Sequence, residues 1–150
     1  MPDSRSGTEL SGPTRSRGGI IETARTFRAH PASLHGIREF VREEALDAGL
    51  DSILDDLVLA ASEAAANAVM HTDTDDIEVR LRADGPDVEI QVRDRGIFKR
   101  RVPMPFAEGG RGIFVMMALM DEVGIREGNL RQPGTVVTLR KRSVGQLARA

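Results

Sequence analysis

Cysteine, tryptophan and tyrosine are absent from this sequence of 150 residues, and phenylalanine occurs only 5 times. Without cysteine the chain can form no disulfide bond, and it has no thiolate for metal or redox chemistry. With so few aromatic rings, the chain is also poorly supplied with the stacking platforms that commonly bind single-stranded nucleic acids. These absences exclude cysteine chemistry and disfavour a single-strand-binding protein.

The sequence has neither a strong net charge nor a long apolar run. Its 21 basic and 23 acidic residues give a net charge of −2, so bulk electrostatics favour neither nucleic acid nor a membrane surface as a partner. No segment approaches the length of a transmembrane helix, and the N-terminus lacks the apolar core of a signal peptide. We therefore expect a soluble, cytoplasmic protein whose length suits one domain with a substantial core.

Composition divides the chain into one domain between two tails. Residues 1–18 are rich in Ser, Arg, Gly, Pro and Thr and show no apolar period, which predicts a flexible N-terminal tail. Residues 19–142 contain every periodic segment and form the predicted domain, and residues 143–150 form a short C-terminal tail.

The apolar periodicity within the domain predicts seven segments in a fixed order. They are a strand over 19–29, a helix from about 33 to 49, a helix from about 51 to 71, a hairpin of 77–82 with 88–93, a loop over 95–111, a helix over 113–120, and a hairpin of 121–127 with 134–142. This order predicts an α+β protein, a two-layer α/β sandwich with helices on one face of a mixed, mostly antiparallel sheet.

The second predicted helix carries a row of three polar side chains. Glu63, Asn67 and His71 are spaced at i, i+4 and i+8, so they stack along one helix face. In a helix that is otherwise apolar, burying such groups without partners would cost about 1–3 kcal/mol each. We interpret the row as the wall of a cleft that faces an ion or a ligand. The alternative is a solvated face that ends in a histidine near the helix dipole.

Two further features follow the row and suggest what the ligand is. A carboxylate such as Asp94, next to Gly96 at a strand end, can accept a hydrogen bond from an exocyclic amine while a flat ring packs over the glycine. The glycines of residues 109–112 precede a helix, whose first N–H groups and positive dipole end suit phosphates. Asn67 offers an oxygen ligand to Mg²⁺, and Glu63 can polarise a hydroxyl or water. Together these features predict a purine-nucleotide site with Mg²⁺ at its phosphate end.

Four short motifs in this order carry a resemblance to a known family. They are Glu63-Ala-Ala-Ala-Asn67-Ala68 with His71, Asp94-Arg95-Gly96, Gly109-Gly110-Arg111-Gly112-Ile113-Phe114, and Gly134-Thr135-Val136-Val137-Thr138-Leu139. Over residues 20–142 the chain resembles the GHKL (Bergerat-fold) ATPase/kinase superfamily. Within it the chain is most similar to the anti-sigma-factor serine kinases of the RsbW/SpoIIAB type.

The resemblance implies a role for each candidate residue. Asn67 would bind Mg²⁺, and Glu63 would be the catalytic general base for the hydroxyl of an acceptor serine. The residues that would bind ATP are Asp94 at the adenine amine, Gly96 beneath the ring, Thr135 at the adenine side, and Gly110, Arg111 and Gly112 around the phosphates.

The resemblance also implies partners and an activity. The chain would be an ATP-binding anti-sigma factor with serine/threonine-protein kinase activity, and it would sequester a sigma factor. The acceptor serine would belong to a STAS-domain anti-sigma-factor antagonist, and the chain would form a homodimer. Two alternatives stay open: a nucleotide-binding regulatory module without phosphoryl transfer, and an ATPase without a protein acceptor.

The chain departs from the family pattern in its loop. Phe98 stands where the fuller motif around Asp94 has a second glycine, and Lys99–Arg101 is basic where many relatives are acidic or proline-rich. Asp94 and Gly96 are retained, so the departure concerns closure over the phosphates and phosphoryl transfer rather than nucleotide binding.

Overall fold

The computed structural model describes residues 11–15, 19–71, 74–96, 108–129 and 131–143, with the backbone alone at 11–15 and 108–111. The strands are β1 (Ser11–Arg15), β2 (Ile21–Arg28), β3 (Asp76–Asp84), β4 (Asp87–Asp94), β5 (Glu122–Glu127) and β6 (Thr135–Arg142). The helices are α1 (Leu34–Asp47), α2 (Leu54–His71) and α3 (Glu108–Leu119). Short 3-10 turns at Pro31–Ser33 and Asp51–Ile53 lead into α1 and α2.

The six described strands form one sheet in the order β1-β2-β3-β4-β6-β5, and each pairing between them is antiparallel. Burial alternates along β3 and β4, which gives the sheet one apolar face and one polar face. The helices cover the apolar face, where fully buried side chains such as Leu81, Ile90 and Leu139 form the core. The predicted two-layer α/β sandwich is therefore confirmed.

The sheet begins earlier than the sequence pattern predicts. Residues 11–15, assigned to a flexible tail, form β1 and pair with β2, so that part of the prediction was wrong. An edge strand is held by backbone hydrogen bonds to one neighbour and needs no apolar alternation, which is why the composition gave no strand signal. At the other end, Ser143 is buried and its N–H donates to the Pro86 carbonyl at 2.9 Å. The remaining tail residues lie outside the described ranges.

Alanine-rich α2 is the centre of the helical layer. It packs between α1 and α3 and lies over β4. Its buried positions include five alanines, whose small side chains let the neighbouring helices and the sheet approach closely: Ala60, Ala61, Ala64, Ala65 and Ala68. Arg38 of α1 also donates to the Ser62 hydroxyl of α2 at 3.2 Å. Among the described helices, none combines the length and the apolarity that would let it cross a membrane.

Helix α3 begins at Glu108, five residues before the predicted start. The glycines of residues 109–112 therefore lie within its first five residues and not in a loop. Glycine is a poor helix former, so periodicity alone placed these positions outside the helix. Their place in α3 is explained by packing, because Gly112 lies directly against α2.

Candidate functional site

The contact between α2 and α3 brings together three of the candidate residues. A Cβ atom at position 112 would lie 3.0 Å from Glu63 Oε1 and 3.4 Å from both Oδ1 and Nδ2 of Asn67. Any side chain at position 112 would therefore push against the acid and the amide at once. The absence of a side chain at Gly112 lets the first turn of α3 approach Glu63 and Asn67.

This arrangement places an acid and an amide beside the start of a helix. Glu63 and Asn67 are half-buried one turn apart on α2, and the N–H groups of the first turn of α3 have no partner within the helix. The first turn also carries the positive end of the helix dipole. The site therefore combines an oxygen ligand, a proton acceptor and an electropositive helix end, which is the chemistry that a phosphate group with a divalent cation requires.

A second group of candidate residues lies where β4 ends. Asp94 is only 7% exposed, and its Oδ1 accepts a hydrogen bond from the Gly96 N–H at 2.9 Å. Thr135, the first residue of β6, is buried and pairs with Asp94 in the sheet register. Because burial disfavours the charged form, it raises the pKa of the Asp94 carboxyl above its ordinary value, although backbone hydrogen bonds from Gly96 and Thr135 lower it in part.

Thr74 supports this second group and was not found by the sequence analysis. Its hydroxyl donates to the Asp76 carbonyl at 2.8 Å, and the same oxygen accepts from the Arg95 N–H at 3.3 Å. The residue between Asp94 and Gly96 is thus tied to the segment that follows α2. The sequence indicated only a polar loop at this point, and nothing in the spacing shows that its hydroxyl meets a residue 21 positions away.

Gly134 approaches the backbone of Asp94 so closely that only glycine fits. Its φ is +138°, a conformation that residues with a side chain rarely adopt, and a Cβ atom here would lie 2.8 Å from the Asp94 carbonyl oxygen. This close approach aligns the start of β6 with the end of β4. The glycine of the terminal motif therefore shapes the backbone around Asp94.

Replacement of Gly134 by alanine is expected to lower the free energy of unfolding by about 3 kcal/mol, because strain at φ and a backbone clash add together. The matched control is Gly85→Ala, where φ is +63° and nothing lies within 4 Å of the added carbon. The control should lose only about 1 kcal/mol. Urea unfolding of both variants checks this, and equal losses would contradict a clash at Asp94.

Some predicted site residues are only partly described. Gly110 and Arg111 belong to the first turn of α3, but the description there covers the backbone and not the Arg111 side chain. Phe98 and the basic run Lys99–Arg101 lie outside the described residues. The roles assigned to all of these residues, and to the two groups around Gly112 and Asp94, stay predictions.

Both groups lie on the helix-covered side of the sheet. Asp94 continues the buried alternation of β4, the strand on which α2 packs, while Glu63 and Asn67 lie on the side of α2 that meets α3. The buried acceptor at the strand end and the acid-amide pair beside the helix start therefore lie in the same layer of the protein.

Comparison with known proteins agrees with this fold. The sequence matches the histidine kinase-like ATPase domain over residues 27–141. A crystal structure of the RsbU and RsbW domains of Rv1364c from Mycobacterium tuberculosis is similar, with a TM-score of 0.64 and 28% sequence identity. The similarity covers 81% of this chain and 32% of that chain, so this chain spans about a third of the longer protein. No curated protein sequence matches.

The match covers the strands, helices and glycines described above, from the end of β2 to the end of β6. The matched residues include both groups of candidate residues. The matched crystal structure has the same fold. The chain belongs to the histidine kinase-like ATPase domain family, a family of ATP-binding domains.

Proposed function

We propose that this protein is an ATP-binding anti-sigma factor with serine/threonine-protein kinase activity. It transfers the γ-phosphoryl group of ATP to a serine of a STAS-domain anti-sigma-factor antagonist, and it sequesters a sigma factor. Similarity to a structure that contains an RsbW domain supports this class of function. The observation that carries the proposal is the contact of Glu63 and Asn67 with Gly112 near the start of α3.

Asn67 is the residue that would hold Mg²⁺. Its side-chain oxygen is a hard ligand, and the missing side chain at Gly112 leaves space beside it that a Cβ atom would fill. Mg²⁺ usually takes few protein ligands and keeps waters and phosphate oxygens, which suits a site with one amide ligand. When bound, the cation would neutralise charge on the phosphates of ATP.

Glu63 would act on the acceptor serine. It lies one helical turn before Asn67, so its carboxylate faces the same first turn of α3. Glu63 would accept the proton of the serine hydroxyl as that oxygen bonds to the γ-phosphorus. The bond from phosphorus to the bridging oxygen then breaks, which gives phosphoserine and ADP.

The N–H groups of the first turn of α3 would bind the phosphates, with Gly110, Arg111 and Gly112 around them. Close backbone approach to an anion favours glycine, since a Cβ atom would hold the phosphate away from the amides. The dipole of α3 adds a favourable interaction with the negative charge of the triphosphate.

Asp94 would select adenine. Its carboxylate accepts from the backbone N–H groups of Gly96 and Thr135, and because a carboxylate has about four lone-pair sites, acceptor capacity remains for the exocyclic amine. Gly96 would admit the ring above its backbone, and Thr135 would assist from the neighbouring strand. A buried acceptor discriminates strongly, because a base with a carbonyl at this position would leave two acceptors facing each other.

A phosphoryl-transfer assay tests the proposal directly. The protein is incubated with γ-labelled ATP and Mg²⁺ and with a panel of STAS-domain antagonists from the same genome. We expect label on one antagonist, and we expect no label when the acceptor serine of that antagonist is replaced by alanine.

Two other results would favour the alternatives. ATP binding without label on any antagonist, together with nucleotide-dependent antagonist or sigma-factor binding, would identify a regulatory module that does not transfer phosphate. Phosphate release that no antagonist changes would identify an ATPase without a protein acceptor.

A further inference from the structure

The short segment Thr74–Asp76 lies in the chain between α2 and the sheet. It follows the helix that carries the acid and the amide of the site, and it ends at the first residue of β3. The Ala29 N–H donates to the Asp75 carbonyl at 2.8 Å, so the segment is attached to the residue that follows β2. Thr74 has no part in the proposed chemistry, although its hydroxyl is bonded on two sides.

The Thr74 hydroxyl makes two hydrogen bonds of opposite sense. It donates to the Asp76 carbonyl at 2.8 Å, and its oxygen accepts from the Arg95 N–H at 3.3 Å. A hydroxyl has a single proton, so once that proton is given to a carbonyl the oxygen can only accept from its other partners. The local bond to Asp76 therefore orients the oxygen as an acceptor for a residue 21 positions away.

The Arg95 N–H belongs to the peptide group that follows Asp94. The carbonyl of the same peptide group lies against Gly134, where an added Cβ atom would be 2.8 Å from the carbonyl oxygen. Because the peptide is planar and trans, its N–H and C=O point in opposite directions. Thr74 and Gly134 therefore contact one peptide group from opposite edges.

The orientation of this peptide group affects the carboxylate of Asp94. The next N–H along the chain, that of Gly96, donates to Asp94 Oδ1 at 2.9 Å, so rotation of the peptide would displace the donor that holds the side chain. Strand β4 ends at Asp94, and its sheet pairing does not extend to Arg95. The bond from Arg95 to Thr74 is exposed, so water could replace its energy but could not fix the peptide in one orientation.

We propose that Thr74 is a positioning residue for the adenine end of the site. Its hydroxyl fixes the peptide group after Asp94 and so holds the Asp94 carboxylate in the direction in which it accepts from the exocyclic amine. Thr74 acts through the Asp94 turn and does not itself touch the nucleotide. An acceptor that is already oriented binds more tightly, because the turn need not be ordered when the ligand arrives. This inference rests on the proposed role of Asp94 toward ATP.

Replacement of Thr74 by valine tests the inference, because valine keeps the shape of the side chain and removes the hydroxyl. We expect ATP affinity to fall about fivefold in Thr74→Val and to stay within about twofold of the wild type in Thr74→Ser, which keeps the hydroxyl. The matched control is Thr138→Val, the same chemical change at a half-buried position in β6. The control should bind ATP like the wild type. Calorimetric titration of the full chain with ATP measures all three affinities.

A nucleotide analogue separates positioning from a general loosening of the domain. Purine riboside triphosphate has the ring and the triphosphate of ATP but lacks the exocyclic amine, so it makes no such bond to the Asp94 carboxylate. Thr74→Val should therefore lose affinity for ATP and keep its affinity for the analogue, as in a double-mutant cycle. Equal losses for both ligands would overturn the positioning role.

Amide hydrogen exchange of the protein without nucleotide measures the hydrogen bond itself. We expect the Arg95 amide to exchange several-fold faster in Thr74→Val than in the wild type, while the amide of Val92 within β4 is unchanged. An Arg95 amide that exchanges at the wild-type rate in Thr74→Val would overturn the inference.

These readouts require neither an antagonist nor phosphoryl transfer, so they apply equally to a protein that binds ATP and transfers nothing. Wild-type protein that binds no ATP would overturn both the proposed function and this inference. ATP binding that Thr74→Val leaves intact would overturn the inference alone. The two failures are therefore distinguishable.

Discussion

Replacement of Asp94 by asparagine is expected to weaken ATP binding by about 100-fold or more, while the protein stays folded. The wild-type carboxylate has two acceptor oxygens, one of which already accepts from the Gly96 N–H. Asparagine has one acceptor oxygen and one NH₂ group. If its oxygen keeps the bond to Gly96, its NH₂ group faces the adenine amine, and two donors meet in a buried site.

Isothermal titration calorimetry with ATP measures this loss. Asp84→Asn is the matched control, because Asp84 is exposed at the opposite end of the β3–β4 hairpin. This control variant should bind ATP like the wild type. ATP affinity that Asp94→Asn leaves unchanged would remove Asp94 from the adenine site.

The same variant, although it should bind ATP more weakly, should not lose stability. Burial raises the pKa of the Asp94 carboxyl. At neutral pH the buried charge therefore lowers the free energy of unfolding of the protein without nucleotide. As the pH falls through this raised pKa, the wild type takes up a proton and is stabilised relative to the unfolded chain. Asp94→Asn should therefore be at least as stable as the wild type at neutral pH, and its advantage should shrink in acid. Urea unfolding at several pH values measures the difference.

Loss of ATP binding without loss of stability is the signature of a binding residue. If Asp94→Asn unfolded the domain, the loss of ATP binding could not be assigned to the Asp94 side chain. The hydrogen bond to Gly96 is a structural contact as well, but a neutral amide oxygen at position 94 can keep it. The two measurements therefore separate the role of the carboxylate in holding the turn from its role toward a ligand.

Local pattern predicted those parts of the fold that have a strong period. The alternation in β3 and β4 and the apolar spacing of α1 and α2 follow directly from burial on one face, and the structure confirms them. Strand β1 gave no such signal, because its backbone pairing with β2 is independent of side-chain alternation. The early start of α3 was hidden by glycines, whose low helix propensity is overridden by the contact of Gly112 with α2.

The candidate site divides in the same way. Residue type and spacing identified Glu63, Asn67 and Asp94, since each belongs to a motif that is continuous in sequence. The contacts that position them are distant in sequence: Gly112 against Glu63, Gly134 against the Asp94 backbone, and Thr74 on the Arg95 N–H. Such contacts depend on how strands and helices pack, and no local period encodes them.

Replacement of Glu63 by glutamine is expected to lower phosphoryl transfer by about 10²–10⁴-fold while ATP affinity stays nearly unchanged. Glutamine has the same shape as glutamate, so it fits the space beside Gly112. That space is narrow, because a Cβ atom added at position 112 would lie 3.0 Å from Oε1 of Glu63. Its amide, however, cannot accept a proton from the serine hydroxyl at working pH. Single-turnover transfer to the antagonist and calorimetric titration with ATP measure the two quantities separately.

The matched control for this prediction is Glu43→Gln, which removes one negative charge from an exposed position of α1 and should transfer phosphate like the wild type. Transfer by Glu63→Gln at the wild-type rate would contradict the role of Glu63 as general base. A loss of ATP affinity equal to the loss of transfer would instead assign Glu63 to nucleotide binding. Only a large loss of transfer with retained affinity fits a residue that acts on the acceptor hydroxyl, because such a residue stabilises the transition state and not bound ATP.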